Sequence, residues 1–169
     1  GYFRPVLMKL DPNAAIVGRF TTNPGWVWAD YVANQYGTDA SPNGNGQTGD
    51  NYAVGGARVG VDAVGPLGAT PSMKTQTATY LAANGGKADA NALYTVWGGA
   101  NDLFAVQAAP AQAQAIIGAA VTDQIGIVGT LKAAGAEYVM LPNLPDIGLT
   151  PAARAGGAVG MAQGTALAK

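Results

Sequence analysis

Cysteine and histidine are both missing from this chain of 169 residues. The first absence excludes disulfides and thiolate metal sites, and the second removes the commonest transition-metal ligand and the commonest general base. Serine occurs only as Ser41, in a stretch rich in Pro, Asn and Gly, and as Ser72, at an expected helix start. Charge is scarce too: Asp, Glu, Lys and Arg make up 11% of the chain, against about a quarter in an average globular protein. With a net charge of -1 and no run of Lys or Arg, nothing supplies the electrostatic footprint that nucleic acid or an anionic membrane surface requires. The longest apolar segment is interrupted by Gln112, Gln114, Asp123 and Gln124, too often for a membrane span. Polarity must come instead from Asn, Gln, Ser and Thr, which suits an exported protein, and no signal peptide is read at the N-terminus.

What is present is glycine and alanine in quantity, in a length that suits one domain over residues 1–169 with one core and no internal repeat. The stretch Val96-Trp97-Gly98-Gly99-Ala100-Asn101-Asp102-Leu103 organises the rest. Residues 92–97 read as a buried strand, and Gly98 and Gly99 turn the backbone at its end. Asn101 and Asp102 then stand at the carboxyl end of that strand, the rim where open α/β sheets place their ligands. The same pair would equally satisfy a turn and cap the next helix. A second run, Asn51-Tyr52-Ala53-Val54-Gly55-Gly56-Ala57-Arg58, also ends in a double glycine and would present main-chain N–H groups, with Gly56 leaving room where a Cβ would obstruct a substrate.

In order and spacing, these two stretches resemble the second and third blocks of the GDSL, or SGNH, family of serine esterases and lipases. The resemblance extends to Asp89-Ala90-Asn91-Ala92-Leu93-Tyr94, to Leu144-Pro145-Asp146-Ile147-Gly148-Leu149-Thr150-Pro151, and to Arg19-Phe20-Thr21-Thr22-Asn23 with Trp26-Val27-Trp28. Those segments look like the autotransporter esterase branch. The resemblance implies a three-layer α/β/α sandwich with a flavodoxin-like parallel sheet of about five strands. It also implies that the Gly56 N–H and the Asn101 side-chain amide are oxyanion donors, with Gly55, Gly99, Asp102 and Trp28 beside the substrate. No cofactor is implied; the substrate would be a small-molecule or lipid ester. The G-D-S-L block that carries the nucleophile and the D-x-x-H block that carries the base are both absent, so the chain reads as an internal piece of an esterase domain, inactive alone. Missing segments of the parent chain are expected to complete the sheet, and the resemblance implies a parent that is exported, and extracellular or anchored at the outer membrane of a Gram-negative bacterium. Two other readings stay open: an esterase-like passenger domain without catalysis, kept for binding or surface display, and a phosphate cradle. The last is disfavoured because no G-x-x-x-x-G-K-[ST] pattern is present.

Taken along the chain, residues 1–20 are expected to form a loop crossing the edge of the active site. Asn23-Pro24 predicts an N-cap with proline at the first helical position, and Trp28, Tyr31, Val32 and Tyr36 share one face, reading as core. The functional alternative is that Trp26 or Trp28 lines an acyl pocket. Residues 39–50 read as a loop; Asn43, Asn45 and Asp50 suggest calcium, but one carboxylate is too few. Residues 60–71 read as a Gly/Pro-punctuated connection. A helix is expected over 72–83, with Met73, Thr77, Tyr80 and Leu81 on one face and Asn84-Gly85-Gly86 as its stop. A longer helix is expected over 111–134, with Ile117, Val121, Val128 and Leu131 as its stripe and Gly118, Gly126 and Gly129 explained by close contact with a strand. Strand 138–141 follows, then Asp146 as a turn residue, and a helix beginning near Met161.

Overall fold

The computed structural model describes residues 26–44, 47–65 and 68–168. The expected loop over residues 1–20 and the Asn23-Pro24 cap lie outside them, as does Asn45. The fold class is α/β, and the chain divides into two compact units: Gly1–Ala57 with Asp62–Ser72, and Arg58–Val61 with Met73–Lys169.

In the first unit, helix α1 spans Trp28–Gln35. The Val27 N–H donates to the Asp30 carboxylate at 3.0 Å, so an acid in the first turn satisfies one of the N–H groups left over at the helix start. The aromatic face expected in the core is exposed, with Tyr31 at 61% and Tyr36 at 73%, and the buried residue of α1 is Asp30. Periodicity reports that one face is apolar; it does not supply a surface to cover that face. Trp26 and Tyr31 offset part of the exposure by an edge-to-face contact with ring centroids 5.3 Å apart.

Both stretches read as loops carry short hairpins. Strands β1 (Asn43–Gly44) and β2 (Gln47–Thr48) pair antiparallel, as do β3 (Ala63–Gly65) and β4 (Gly68–Thr70), with Val64 opposite Ala69. The Asn43 side-chain amide donates to the Gly49 carbonyl at 2.9 Å, so this asparagine braces the β1–β2 hairpin.

The second unit holds the parallel pair expected of a crossover topology. Strand β5 (Leu93–Thr95) pairs with β6 (Tyr138–Met140), Tyr94 standing beside Val139, and the Val96 N–H extends the ladder to the Met140 carbonyl at 2.9 Å. Of the expected five strands, these two form the parallel sheet among the described residues. Helix α2 (Met73–Ala83) fills the predicted span. It ends where glycine stops it, the Gly86 N–H reaching back to the Leu81 carbonyl at 2.7 Å. Helix α3 (Ala100–Ala108), a short 3₁₀ turn and helix α4 (Ala113–Ala133) form the crossover from β5 to β6.

Val59, Val96, Ile127, Leu131 and Ala136 make the core of this unit, with Met73, Tyr80, Tyr94, Ala120 and Val139 packed against them. Each fully buried aliphatic side chain contributes about 1.5–3 kcal/mol. The inward stripe of α4 is therefore Ala120, Ile127 and Leu131, while Val121 of the predicted stripe is exposed. A Cβ at Gly118, Gly126 or Gly129 would meet nothing within 4 Å, so close contact with a strand does not account for those glycines. Length and composition alone would let Pro110–Ala133 cross a membrane, at a mean hydropathy of 1.2. Its Asp123, however, pairs with Lys74 at 2.9 Å, and its inward face packs in the core.

After β6, Asp146 caps a 3₁₀ turn (Ile147–Leu149) by accepting from the Gly148 N–H at 2.8 Å and receives the Thr165 hydroxyl at 2.8 Å, a structural role as expected. Helices α5 (Pro151–Ala155) and α6 (Gly157–Leu167) follow, so the last helix starts before Met161. Thr150 caps α5, with Pro151 at its first position.

Candidate active site

The glycine pair after β5 makes the turn that the sequence demanded. Gly99 is the N-cap of α3 with φ of 109°, a conformation that L side chains avoid, and a Cβ there would also stand 3.3 Å from Leu144 Cδ1. At Gly98 a Cβ would collide with the Met73 sulfur. The chain thus leaves the carboxyl end of β5, reverses at two glycines and enters α3 at once. That puts Asn101 and Asp102 at the second and third helical positions, on the rim where an α/β sheet presents ligand groups.

Asn101 is half-buried there. Asp102 is buried, with 2% of its surface exposed, and both carboxylate oxygens are engaged. Arg58 Nε donates to one at 3.0 Å, and the Val59 main-chain N–H donates to the other at 3.0 Å. This meets the requirement that a buried carboxylate be paired and hydrogen-bonded. It also links the residues that follow the second glycine block to the third, across 44 positions of sequence, a connection that no periodicity or spacing announces.

In the first unit, the second block forms a turn rather than the end of a paired strand. The Ala57 N–H donates to the Val54 carbonyl at 3.2 Å, and Gly56 occupies the turn with φ of 83°. The nearest atom to a Cβ at Gly56 is Thr70 Cγ2 at 3.9 Å, so backbone conformation and not lack of space requires glycine. Gly56 is exposed and Gly55 half-buried beside it. Trp28 stands at the start of α1 with 36% of its surface exposed.

Ser72 is almost fully buried and its main-chain N–H donates to Asp62 at 2.7 Å, which holds it as the residue before α2. Ser41 lies between β1 and α1, its N–H on the Asp39 carboxylate at 2.7 Å. Ser41, Asp39 and Asp50 line a pocket of about 480 Å³ in the β1–β2 region with Thr38, Pro42, Thr48 and Gly49.

The GDSL-like Lipase/Acylhydrolase family matches residues 11–167. A relative named Lipase 1, from Photorhabdus luminescens, is 37% identical over 125 residues, covering 74% of this chain and 18% of the relative. The chain therefore corresponds to less than a fifth of that protein's length. With its α/β core and its family match over nearly the whole sequence, the chain belongs to the GDSL-like lipase/acylhydrolase family.

Proposed function

We propose that this chain is the oxyanion-binding part of a carboxylic ester hydrolase of the autotransporter type, exported and either extracellular or anchored at the outer membrane. The reaction is acyl transfer: a serine attacks the ester carbonyl, a histidine takes its proton, and water later releases the acyl group. Neither that serine nor that histidine is among these residues, so the 169 residues alone are inactive and further segments of the same protein supply both and complete the sheet. The Gly56 N–H and the Asn101 amide receive the negative charge that grows on oxygen as the carbonyl becomes tetrahedral. Donors placed in advance stabilise that charge more than the neutral ester, which is where their catalytic value lies.

The observation that carries this reading is the family match together with Asn101 in the first turn of α3, directly after the Gly98-Gly99 reversal at the rim of the sheet. Gly56, an exposed residue in a turn that demands glycine, supports the second donor. The name of the relative, a lipase, supports an ester substrate. The test is Asn101→Ala in the full-length protein: kcat for p-nitrophenyl esters falls about 10²–10³-fold while KM stays within a few-fold. An unchanged kcat removes Asn101 from the role. A full-length protein inert toward both short and long acyl esters would make this a passenger module kept for binding or display.

A further inference from the structure

We infer that Asp102 is a positioning residue that fixes the orientation of Asn101 by clamping the first turn of α3 to the segment Arg58-Val59. The inference rests on the reading of Asn101 as an oxyanion donor.

Arg58-Val59 is held from three directions. Its carbonyls accept the first N–H groups of α2, Met73 N–H on Arg58 and Lys74 N–H on Val59, each at 3.0 Å. That gives partners to donors which a helix start leaves unsatisfied. The Val59 side chain, 1% exposed, is seated in the core with Val96, Ile127 and Leu131. Its N–H and the Arg58 guanidinium close on the two oxygens of Asp102. This segment is therefore a rigid anchor belonging at once to α2 and to the core.

The first turn of α3 needs such an anchor. It is entered through Gly98 and Gly99, and two glycines in succession leave the helix start more backbone freedom than any other pair of residues. Asn101 is adjacent to Asp102 in that turn, so the direction of its amide follows from how the turn is rotated. Two oxygens held by two donors on one anchor define both the position and the rotation of the turn, which a single contact does not. A donor misplaced by about 1 Å loses on the order of 10²-fold in rate. With both oxygens engaged and the group buried, Asp102 acts through Asn101 rather than by touching substrate.

The experiment is a double-mutant cycle in the full-length protein. Asp102→Asn cannot accept both donors, because its amide nitrogen faces one of them. We expect it to lower kcat by roughly 10–100-fold, with KM within a few-fold and near-UV circular dichroism retained. In the Asn101→Ala background the same substitution should cost nothing further, because the group it positions is gone. Arg58→Gln, which removes one of the two contacts, gives a smaller loss that also vanishes in that background, and it serves as the readout if Asp102→Asn does not fold. If Asn101→Ala lowers kcat but the Asp102 and Arg58 losses are absent, or persist in full on top of it, the positioning role is overturned while the oxyanion reading stands. If Asn101→Ala leaves kcat intact, the oxyanion reading fails first and takes this inference with it.

Discussion

Tyr94 sets its hydroxyl 2.7 Å from that of Tyr80 and 3.1 Å from the Asp89 carbonyl, on the core-facing side of β5. Burial, reinforced by the Tyr80 hydroxyl, raises this phenol well above its ordinary range. An unfolded chain releases the proton near pH 10. Between that pH and the higher folded-state value the unfolded chain binds fewer protons, so stability present below about pH 10 is lost as pH rises through this window. Urea unfolding at pH 9 and at pH 11 should show a smaller fall for Tyr94→Phe than for the wild type, and equal falls would show that Tyr94 does not carry the alkaline sensitivity. At this scale the glycine turn and the place of Asn101 in the first turn of α3 are legible in the sequence, because a β-branched run, a double glycine and a polar pair each have a local cause. It could not show what Asp102 holds. Arg58 lies 44 positions away, and nothing in local composition ties a carboxylate to a particular arginine.

Helix α4 was legible as an element and misread as a surface. Its length and its stop at Gly135 follow from propensity and chirality, the Ala136 N–H closing the end on the Leu131 carbonyl at 3.0 Å. Of the expected stripe Ile117, Val121, Val128 and Leu131, the structure buries Leu131, leaves Ile117 and Val128 half-buried and Val121 exposed, and turns Ile127 and Ala120 inward instead. An alanine-rich helix with apolar residues on several sides has no single stripe that periodicity can select. The three glycines face open space, so each lowers helix stability by up to ~1 kcal/mol relative to alanine without a packing return. Gly118→Ala, Gly126→Ala and Gly129→Ala in this chain should therefore each raise the thermal midpoint and together raise it further. A lower midpoint for any of them would mean that a Cβ meets something there. The positions of strands β5 and β6 are legible for the same local reasons as the helices, but their burial is not: a continuous apolar run reads as a strand covered on both faces, whereas Leu93, Trp97, Tyr138 and Leu141 are exposed. The β1–β2 and β3–β4 hairpins were missed because two- and three-residue ladders are set by their turns and have no periodicity to read.

At the scale of the whole chain, scarce charge and exposed apolar side chains act together. Val64 is 86% exposed, and Tyr31, Ile125, Tyr138, Leu149 and Val159 are each more than half exposed, while the net charge is -1. A surface of this kind has little self-repulsion to keep copies apart and offers apolar area that water disfavours. Leu93, Thr95 and Tyr138, on the side of the parallel pair away from its core, belong to that surface. The strands themselves are only three residues long, so their edges offer few unpaired groups and association should run through side chains, not through added strands. The isolated 169-residue chain is thus expected to bind a dye that reports exposed apolar surface and to gain mass with concentration in light scattering. Sulfate should strengthen this association and moderate sodium chloride should leave it nearly unchanged, since burial and not charge drives it. No increase in amyloid-type dye fluorescence should accompany it. A monomer at every concentration, or an assembly that dissolves on adding sodium chloride, would show that charge and not apolar area governs this surface.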